Sequence, residues 1–253
     1  ARAFTSTSGP GISLMQEFIG LAYFAEIPSV IFNVQRAGPS TGMPTKTEQA
    51  DLLQAIVGRN GESPIAVVAP ATPAECFEFA IEAVRLAVEH MCPVAYLSDG
   101  SLANGAEPWR LPKVEDLVPI YTSFRTEAEG FAPFLRDERL VRPWAVPGTP
   151  GLEHRIGGIE KEDVTGNISY EPENHEHMTH TRQAKIDKIA DWLPPAQIDG
   201  PPTGDVLIVG WGGTYGALRQ AAHQLRAEGH AVGHLHLRYL NPLQSNVGAL
   251  LAR

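Results

Sequence analysis

The 253-residue chain is 43% hydrophobic and 19% charged, enough apolar material for one large domain or two smaller ones. Its formal net charge of −9, with no block of basic residues, argues against a nucleic-acid or anionic-membrane surface. Cys76 and Cys92 have no metal-binding or redox spacing, and the sequence has neither a run of about 18 apolar residues nor a charged segment leading into an apolar one; a reducing, cytoplasmic setting is expected.

The chain starts without Met, and Ala3 to Ser8 read as a strand with nothing before it, so an upstream part is expected. Gly9-Pro10-Gly11 then opens a helix with Ile12, Met15, Ile19 and Ala22 at helical spacing, closed by Pro28. The turn TSTSGPG brings backbone N–H groups and the hydroxyls of Thr7 and Ser8 to a helix N-terminus, a geometry that favours anions or polar ligand atoms. It is also ordinary chemistry for a strand-to-helix connection.

Ser29 to Val34 form a second strand, and a helical pattern starts near Lys46. Between them runs NVQRAGPSTGMPTKTEQ, Asn33 to Gln49. Loops at the carboxyl ends of parallel strands are where α/β folds bind ligands. Gly38, Pro39 and Gly42 allow close backbone approach, Pro44 stiffens the exit, and Ser40, Thr41, Thr45 and Thr47 surround one cation, Arg36, as a candidate anion nest. A nucleotide phosphate loop fails by counting, because Lys46-Thr47 would need glycines where Ser40 and Thr45 stand. The alternative is a structural loop in which Thr45 and Glu48 form a capping box for the next helix.

That helix carries Leu52, Leu53, Ile56 and Val57; a turn at Asn60-Gly61 and a strand from Ile65 to Ala69 follow. Thr72, Pro73 and Glu75 make a helix start, with a capping hydroxyl, a proline at the first position and the acidic member of a capping box. The helix runs to about His90 and leads to a strand at Val94 to Leu97, ending in Ser98-Asp99-Gly100. This alternation calls for a parallel sheet covered on both faces.

From Glu107 to about Pro202 regularity falls, which predicts an extended connection packed over other surfaces. His175, His177 and His180 lie there in a charged helical stretch near 173–191, without the i, i+4 pairing of a zincin helix, and no metal site is expected. Asp205 to Val209 is a strand, followed by Gly210 to Gly216 and a helix to Glu228. A dinucleotide fingerprint would need glycine at Tyr215, and the next strand, Val232 to Leu237, ends without an acidic residue for a ribose. A tight turn in a second small α/β domain is the favoured reading.

TSTSGPG at 5–11, VQRAGPSTGMPTKTEQADL at 34–52, LSDG at 97–100, RPWAVPGTPGLEHRIGG at 142–158, YEPENH at 170–175 and WGGTYGA at 211–217 together resemble the α subunit of 2-oxoacid:ferredoxin oxidoreductases, nearest the 2-oxoglutarate type. The resemblance covers essentially the whole chain. It implies an α/β fold with a parallel-sheet domain at 1–112, like the pyrimidine-binding domain of thiamine-diphosphate enzymes. It further implies an extended irregular connection at 113–202 and, at 203–253, a domain like the C-terminal domain of transketolases. The family's acidic activator of the cofactor and its Tyr-Pro-Ile-Thr-Pro motif lie upstream of TSTSGPG; neither occurs here, nor does a γ-type domain, and the second domain stops at Arg253 before its expected last strands, so both outer domains are expected to be incomplete.

The activity implied by the resemblance is oxidative decarboxylation of a 2-oxoacid to an acyl-CoA, with electrons passed to ferredoxin. A β subunit would carry the diphosphate of thiamine diphosphate, its Mg²⁺ and a 4Fe-4S cluster. Arg36 and Thr45 match the family's substrate contacts, within a substrate loop that includes Gln35, Gly38, Pro39, Ser40, Thr41 and Gly42. Thr7, Ser8, Gly9, Pro10 and Gly11 match the loop beside the cofactor's pyrimidine ring. A planar guanidinium with a neighbouring hydroxyl suits a carboxylate. Two alternatives stay open: an enzyme for pyruvate, aromatic or branched-chain 2-oxoacids, and a non-catalytic scaffold that only braces the β subunit, against which Arg36 and Thr45 both count.

Overall fold

The computed structural model describes residues 5–253, so Ala3 and Phe4 of the first expected strand lie outside the described residues. In chain order come β1 (Thr5–Thr7), α1 (Gly9–Phe24), β2 (Ser29–Gln35), α2 (Leu52–Val57), β3 (Ala66–Val68), α3 (Pro73–His90), β4 (Pro93–Asp99) and the short α4 (Gly100–Asn104). An irregular stretch follows with two-residue strands β5 (Phe124–Arg125) and β6 (Trp144–Ala145). The remainder is α5 (Pro172–Asp187), β7 (Ile198–Asp199), β8 (Val206–Trp211), α6 (Tyr215–Ala227), β9 (Val232–Leu237), β10 (Tyr239–Asn241) and α7 (Val247–Leu251).

The main sheet has the order β1-β2-β4-β3-β10, with the first four strands parallel and β10 antiparallel at the edge. The chain steps from β1 to β2 and over β4 to β3, then back to β4. Right-handed crossovers therefore put α1 and α2 on one face and α3 on the other. The strands alternate to match. Ile31, Ala95 and Leu97 meet Ile12, Ile19 and Ala55 on the first face, whereas Tyr96 packs on Phe32 (4.8 Å between centroids) and donates its hydroxyl to the Cys76 carbonyl of α3 at 2.9 Å.

The start of α3 follows its local chemistry. Thr72 Oγ1 accepts from the Glu75 N–H at 3.2 Å and Pro73 occupies the first turn. Glu75 departs from a regular capping box: its carboxylate accepts from the Ala71 N–H (2.9 Å) and from Arg238 (2.6 and 2.8 Å). A local cap thereby doubles as a tie to the C-terminal segment.

A second sheet has the order β7-β9-β8, with β8 and β9 parallel. Residues 203–253 are not self-contained, however. Only Arg238 separates β9 from β10, and β10 leaves to extend the main sheet, where Asn241 Nδ2 donates to the Ile65 carbonyl at 2.7 Å. A three-residue strand is too short to register as a hydrophobic period.

The irregular connection is fastened by buried charge. Glu26, fully buried with φ +54°, accepts from Arg136 Nη1 at 2.9 Å and from Lys185 Nζ at 2.7 Å. Arg182 of α5 pairs with Glu160 and Glu62 at 3.2 Å and lies 4.3 Å over the Phe24 ring. The helix expected at 173–191 is α5 followed by a 3₁₀ turn, Lys188–Trp192. Two of its histidines bond carboxylates, His175 to Glu160 at 2.6 Å and His177 to Asp163 at 3.1 Å.

Candidate functional site

The β1–α1 turn and the Arg36 loop leave the carboxyl ends of two adjacent parallel strands, β1 and β2. Ser8 is extended ahead of α1 (φ −122°, ψ −176°) and makes no side-chain cap hydrogen bond. Gly11 is required by close approach, since a Cβ there would stand 2.0 Å from Thr7 Oγ1. A Cβ on Gly9 would lie 3.0 Å from Asp51 Oδ1. The carboxylate of Asp51, just past the Arg36 loop, therefore stands at the N-terminal mouth of α1, where the helix dipole favours negative charge.

The Arg36 loop differs from the capped helix entry that its sequence allows. The helix begins at Leu52, not near Lys46. Thr45 has φ +57° and donates Oγ1 to the Pro44 carbonyl at 2.7 Å, while Glu48 accepts from the Gly38 N–H at 2.8 Å, so the Thr45–Glu48 capping box does not form. The loop closes on itself instead: Ala37 N–H donates to Lys46 O (2.9 Å), Met43 N–H to Ala37 O (3.0 Å) and Gly42 N–H to Pro39 O (3.0 Å). Gly42, at φ +62°, admits no side chain because a Cβ would overlap the Ala37 carbonyl oxygen. Gly38, Pro39, Ser40, Thr41 and Thr45 are exposed.

Arg36 is half-buried, and its Nε is buried with no hydrogen-bond partner among the described residues. None of the ion pairs among the described residues includes it. Gln35 beside it is committed to the fold: its Nε2 donates to Ser98 O at 3.1 Å and its Oε1 accepts from the Asp51 N–H at 3.1 Å. Asn33 Nδ2 donates to Asp51 Oδ2 at 3.0 Å.

A further cluster lies at the end of β4, and the sequence gives it no role. Asp99, 1% exposed, accepts from the Ser101 N–H (2.8 Å), the Leu102 N–H (3.3 Å), the Gly213 N–H (2.9 Å) and Gln49 Nε2 (3.2 Å). Burial alone would raise this carboxyl, but the hydrogen bonds from Ser101, Gly213, Gln49 and Leu102 hold it below its ordinary range. Gln49 Nε2 also donates to the Trp211 carbonyl at 3.1 Å. A Cβ on Gly212 would lie 2.4 Å from Gln49 Nε2, and one on Gly213 would lie 2.2 Å from Ser101 Oγ. Gly212 and Gly213 therefore serve the docking of the β8 end onto the main sheet. His236 bonds the Gly212 carbonyl through Nε2 at 3.0 Å, and burial pushes its pKa down to about 4, so it donates there as a neutral ring. In the sequence, Asp99-Gly100 after an apolar strand and paired glycines after another were the visible traces of this cluster; Gln49 left none.

A separate cleft of about 790 Å³ lies at the other end of β4, lined by Glu89, Arg136, Arg139, Arg142 and Trp144 among others. Its three arginines are already engaged, Arg136 with Glu26, Arg142 with the Ala25, Glu26 and Pro143 carbonyls, and Arg139 with Glu89 (3.8 Å) and over the Trp192 ring.

The sequence profile described as "Pyruvate flavodoxin/ferredoxin oxidoreductase, thiamine diP-bdg" matches residues 1–172. The chain belongs to this oxidoreductase family. It is 56% identical to the 2-oxoglutarate oxidoreductase subunit KorA of Mycobacterium tuberculosis, over 100% of this chain and 39% of that protein. With the 2-oxoglutarate synthase subunit KorA of Archaeoglobus fulgidus it shares 35% identity, over 96% of this chain and 62% of that one. The structure of 2-oxoglutarate:ferredoxin oxidoreductase from Magnetococcus marinus, with 2-oxoglutarate, coenzyme A and succinyl-CoA bound, superposes with a TM-score of 0.91 at 36% identity, covering 98% of this chain and 44% of that chain. The chain thus spans less than two thirds of the length of each of these relatives. The β1–α1 turn, the Arg36 loop and Asp99 all fall inside the part matched to the family, whereas the Gly212–Gly213 turn lies beyond it.

Proposed function

We propose that the protein containing this chain is the α subunit of a thiamine-diphosphate-dependent 2-oxoacid:ferredoxin oxidoreductase. It would oxidatively decarboxylate 2-oxoglutarate to an acyl-CoA in the cytoplasm, passing electrons to ferredoxin. The observation that carries the reading is Arg36, a half-buried guanidinium at the carboxyl end of β2 whose Nε has no partner among the described residues. A scaffold has no use for such a cation, while a 2-oxoacid has a carboxylate to offer it. Thr45, at the exit of the same loop, would add a hydroxyl. The 2-oxoglutarate assignment draws on the names of the relatives.

The β1–α1 turn fits the pyrimidine side of thiamine diphosphate. Thr7 and Ser8 bring hydroxyls and Gly9 and Gly11 bring backbone N–H groups to a half-buried turn, with the Ser8 side chain not engaged in capping. When bound, that cofactor supplies the chemistry that releases CO₂ from a 2-oxoacid. The residues of this chain would orient the ring edge and hold the substrate carboxylate. Following the family resemblance, we assign the diphosphate, its Mg²⁺ and a 4Fe-4S cluster to a partner β subunit; Cys76 and Cys92 by themselves cannot supply four thiolates. Residues 203–253 read as a second α/β unit of the transketolase C-terminal kind, supported by the parallel β8–α6–β9 unit, with β10 contributed to the first sheet.

The test is CoA-dependent dye reduction by the assembled complex with 2-oxoglutarate or pyruvate. Preference for 2-oxoglutarate is expected; turnover of pyruvate alone would move the assignment within the family, and no turnover of any 2-oxoacid would favour the scaffold.

A further inference from the structure

We infer that Gln49 and Asp99 are positioning residues that couple the Arg36 loop to the Gly212–Gly213 turn, so that the setting of Arg36 depends on how the C-terminal segment seats on the main sheet. The inference rests on the reading of Arg36 as the substrate-carboxylate ligand. Its basis is the way the loop is anchored. The tip is exposed, and among the described residues its hydrogen bonds run within the loop, so its position is set at the two limbs of its base. The outgoing limb is held by Gln35, through Ser98 and Asp51. On the return limb, Lys46 O accepts from Ala37, the Glu48 carboxylate accepts from Gly38, and Gln49 bridges two other elements with one amide nitrogen.

That bridge is discriminating. Gln49 Nε2 reaches a buried carboxylate and a carbonyl, both acceptors, so only a donor fits. Asp99 takes a hydrogen bond from the same turn through the Gly213 N–H, and no cation among the described residues pairs with it; its charge is held by neutral donors from three segments. Neither glycine can carry a side chain without displacing Gln49, Ser101 or Asp99. The seating of the turn and the position of the return limb are therefore one geometric variable.

The experiment compares Gln49→Ala, Gln49→Glu and Gly213→Ala with the parent in the assembled complex, measuring 2-oxoglutarate kinetics and amide hydrogen exchange of residues 36–51. Gln49→Glu sets a carboxylate against two acceptors, and is expected to be at least as damaging as Gln49→Ala. Each variant is expected to raise KM roughly tenfold with a smaller change in kcat. Exchange should quicken across 36–48 while α3 keeps its protection. Gln49→Ala with parental KM and parental exchange overturns the inference, as does faster exchange throughout the chain, which marks a general loss of stability. If the parent complex turns over no 2-oxoacid, the functional reading falls and the exchange data alone decide the coupling.

Discussion

Replacing Arg36 with alanine tests the candidate site most directly. In the described structure this side chain has no ion pair, and its buried Nε has no partner. Removing it breaks no native ion pair and relieves one buried donor left unsatisfied, so stability should hold or rise, by up to about 1 kcal/mol. A lost charge-assisted hydrogen bond to a substrate carboxylate costs about 1.5–3 kcal/mol, which is roughly a ten- to hundredfold fall in kcat/KM. Arg36→Lys should recover part of this, because an ammonium keeps the charge but not the planar fork. The assay is kcat/KM for 2-oxoglutarate in the assembled complex beside the melting temperature. A lowered melting temperature with unchanged kinetics would refute the argument and make Arg36 a structural tie.

Thr45→Ala should likewise slow turnover with little change in stability, because Thr45 does not cap a helix and, among the described residues, its hydroxyl bonds only the Pro44 carbonyl; a loss of about 1 kcal/mol, the usual worth of a cap, would contradict this. Glu26→Gln leaves Lys185 and Arg136 buried without their carboxylate and should destabilise by about 3–5 kcal/mol at neutral pH, read from denaturant midpoints. Burial opposes ionisation of Glu26, but Lys185 and Arg136 hold its pKa down to about 2; its contribution is therefore full above the ordinary carboxylate range and lost as pH falls toward 2, and the gap between parent and variant should narrow over that window. Gly11→Ala drives a methyl group into Thr7 Oγ1 and should distort the β1–α1 turn; a variant with parental melting temperature and parental affinity for thiamine diphosphate would show that the turn has slack.

Much of the fold was legible in the sequence because its causes are local. Strands β2 and β4, helix α3 with its Thr72 cap, and the β8–α6–β9 unit announce themselves through apolar periods and capping residues a few positions apart. The start of α2 was misplaced for the opposite reason. Thr45, Lys46 and Glu48 read as a helix entry, but the carboxylate of Glu48 goes to Gly38 and the limb is tied to other elements by Gln49 and Asp51. The WGG turn reads as a connection within a second domain; the paired glycines and Asp99-Gly100 each mark a tight turn, but nothing in either segment marks the other as its partner.

The sequence by itself determined where strands end and loops begin, and so put Arg36 and the TSTSGPG turn at the carboxyl edge of a parallel sheet. Tertiary structure decided what those loops touch. The Asp51 carboxylate meets the α1 N-terminus only because α2 and α1 share one face of the sheet. Gln49 finds Asp99 across 50 positions and Trp211 across 162, and Gly213 finds Asp99 across 114. Hydrogen bonds of such span form only after the sheet has assembled, and each partner by itself is an ordinary polar or glycine residue that no local period singles out.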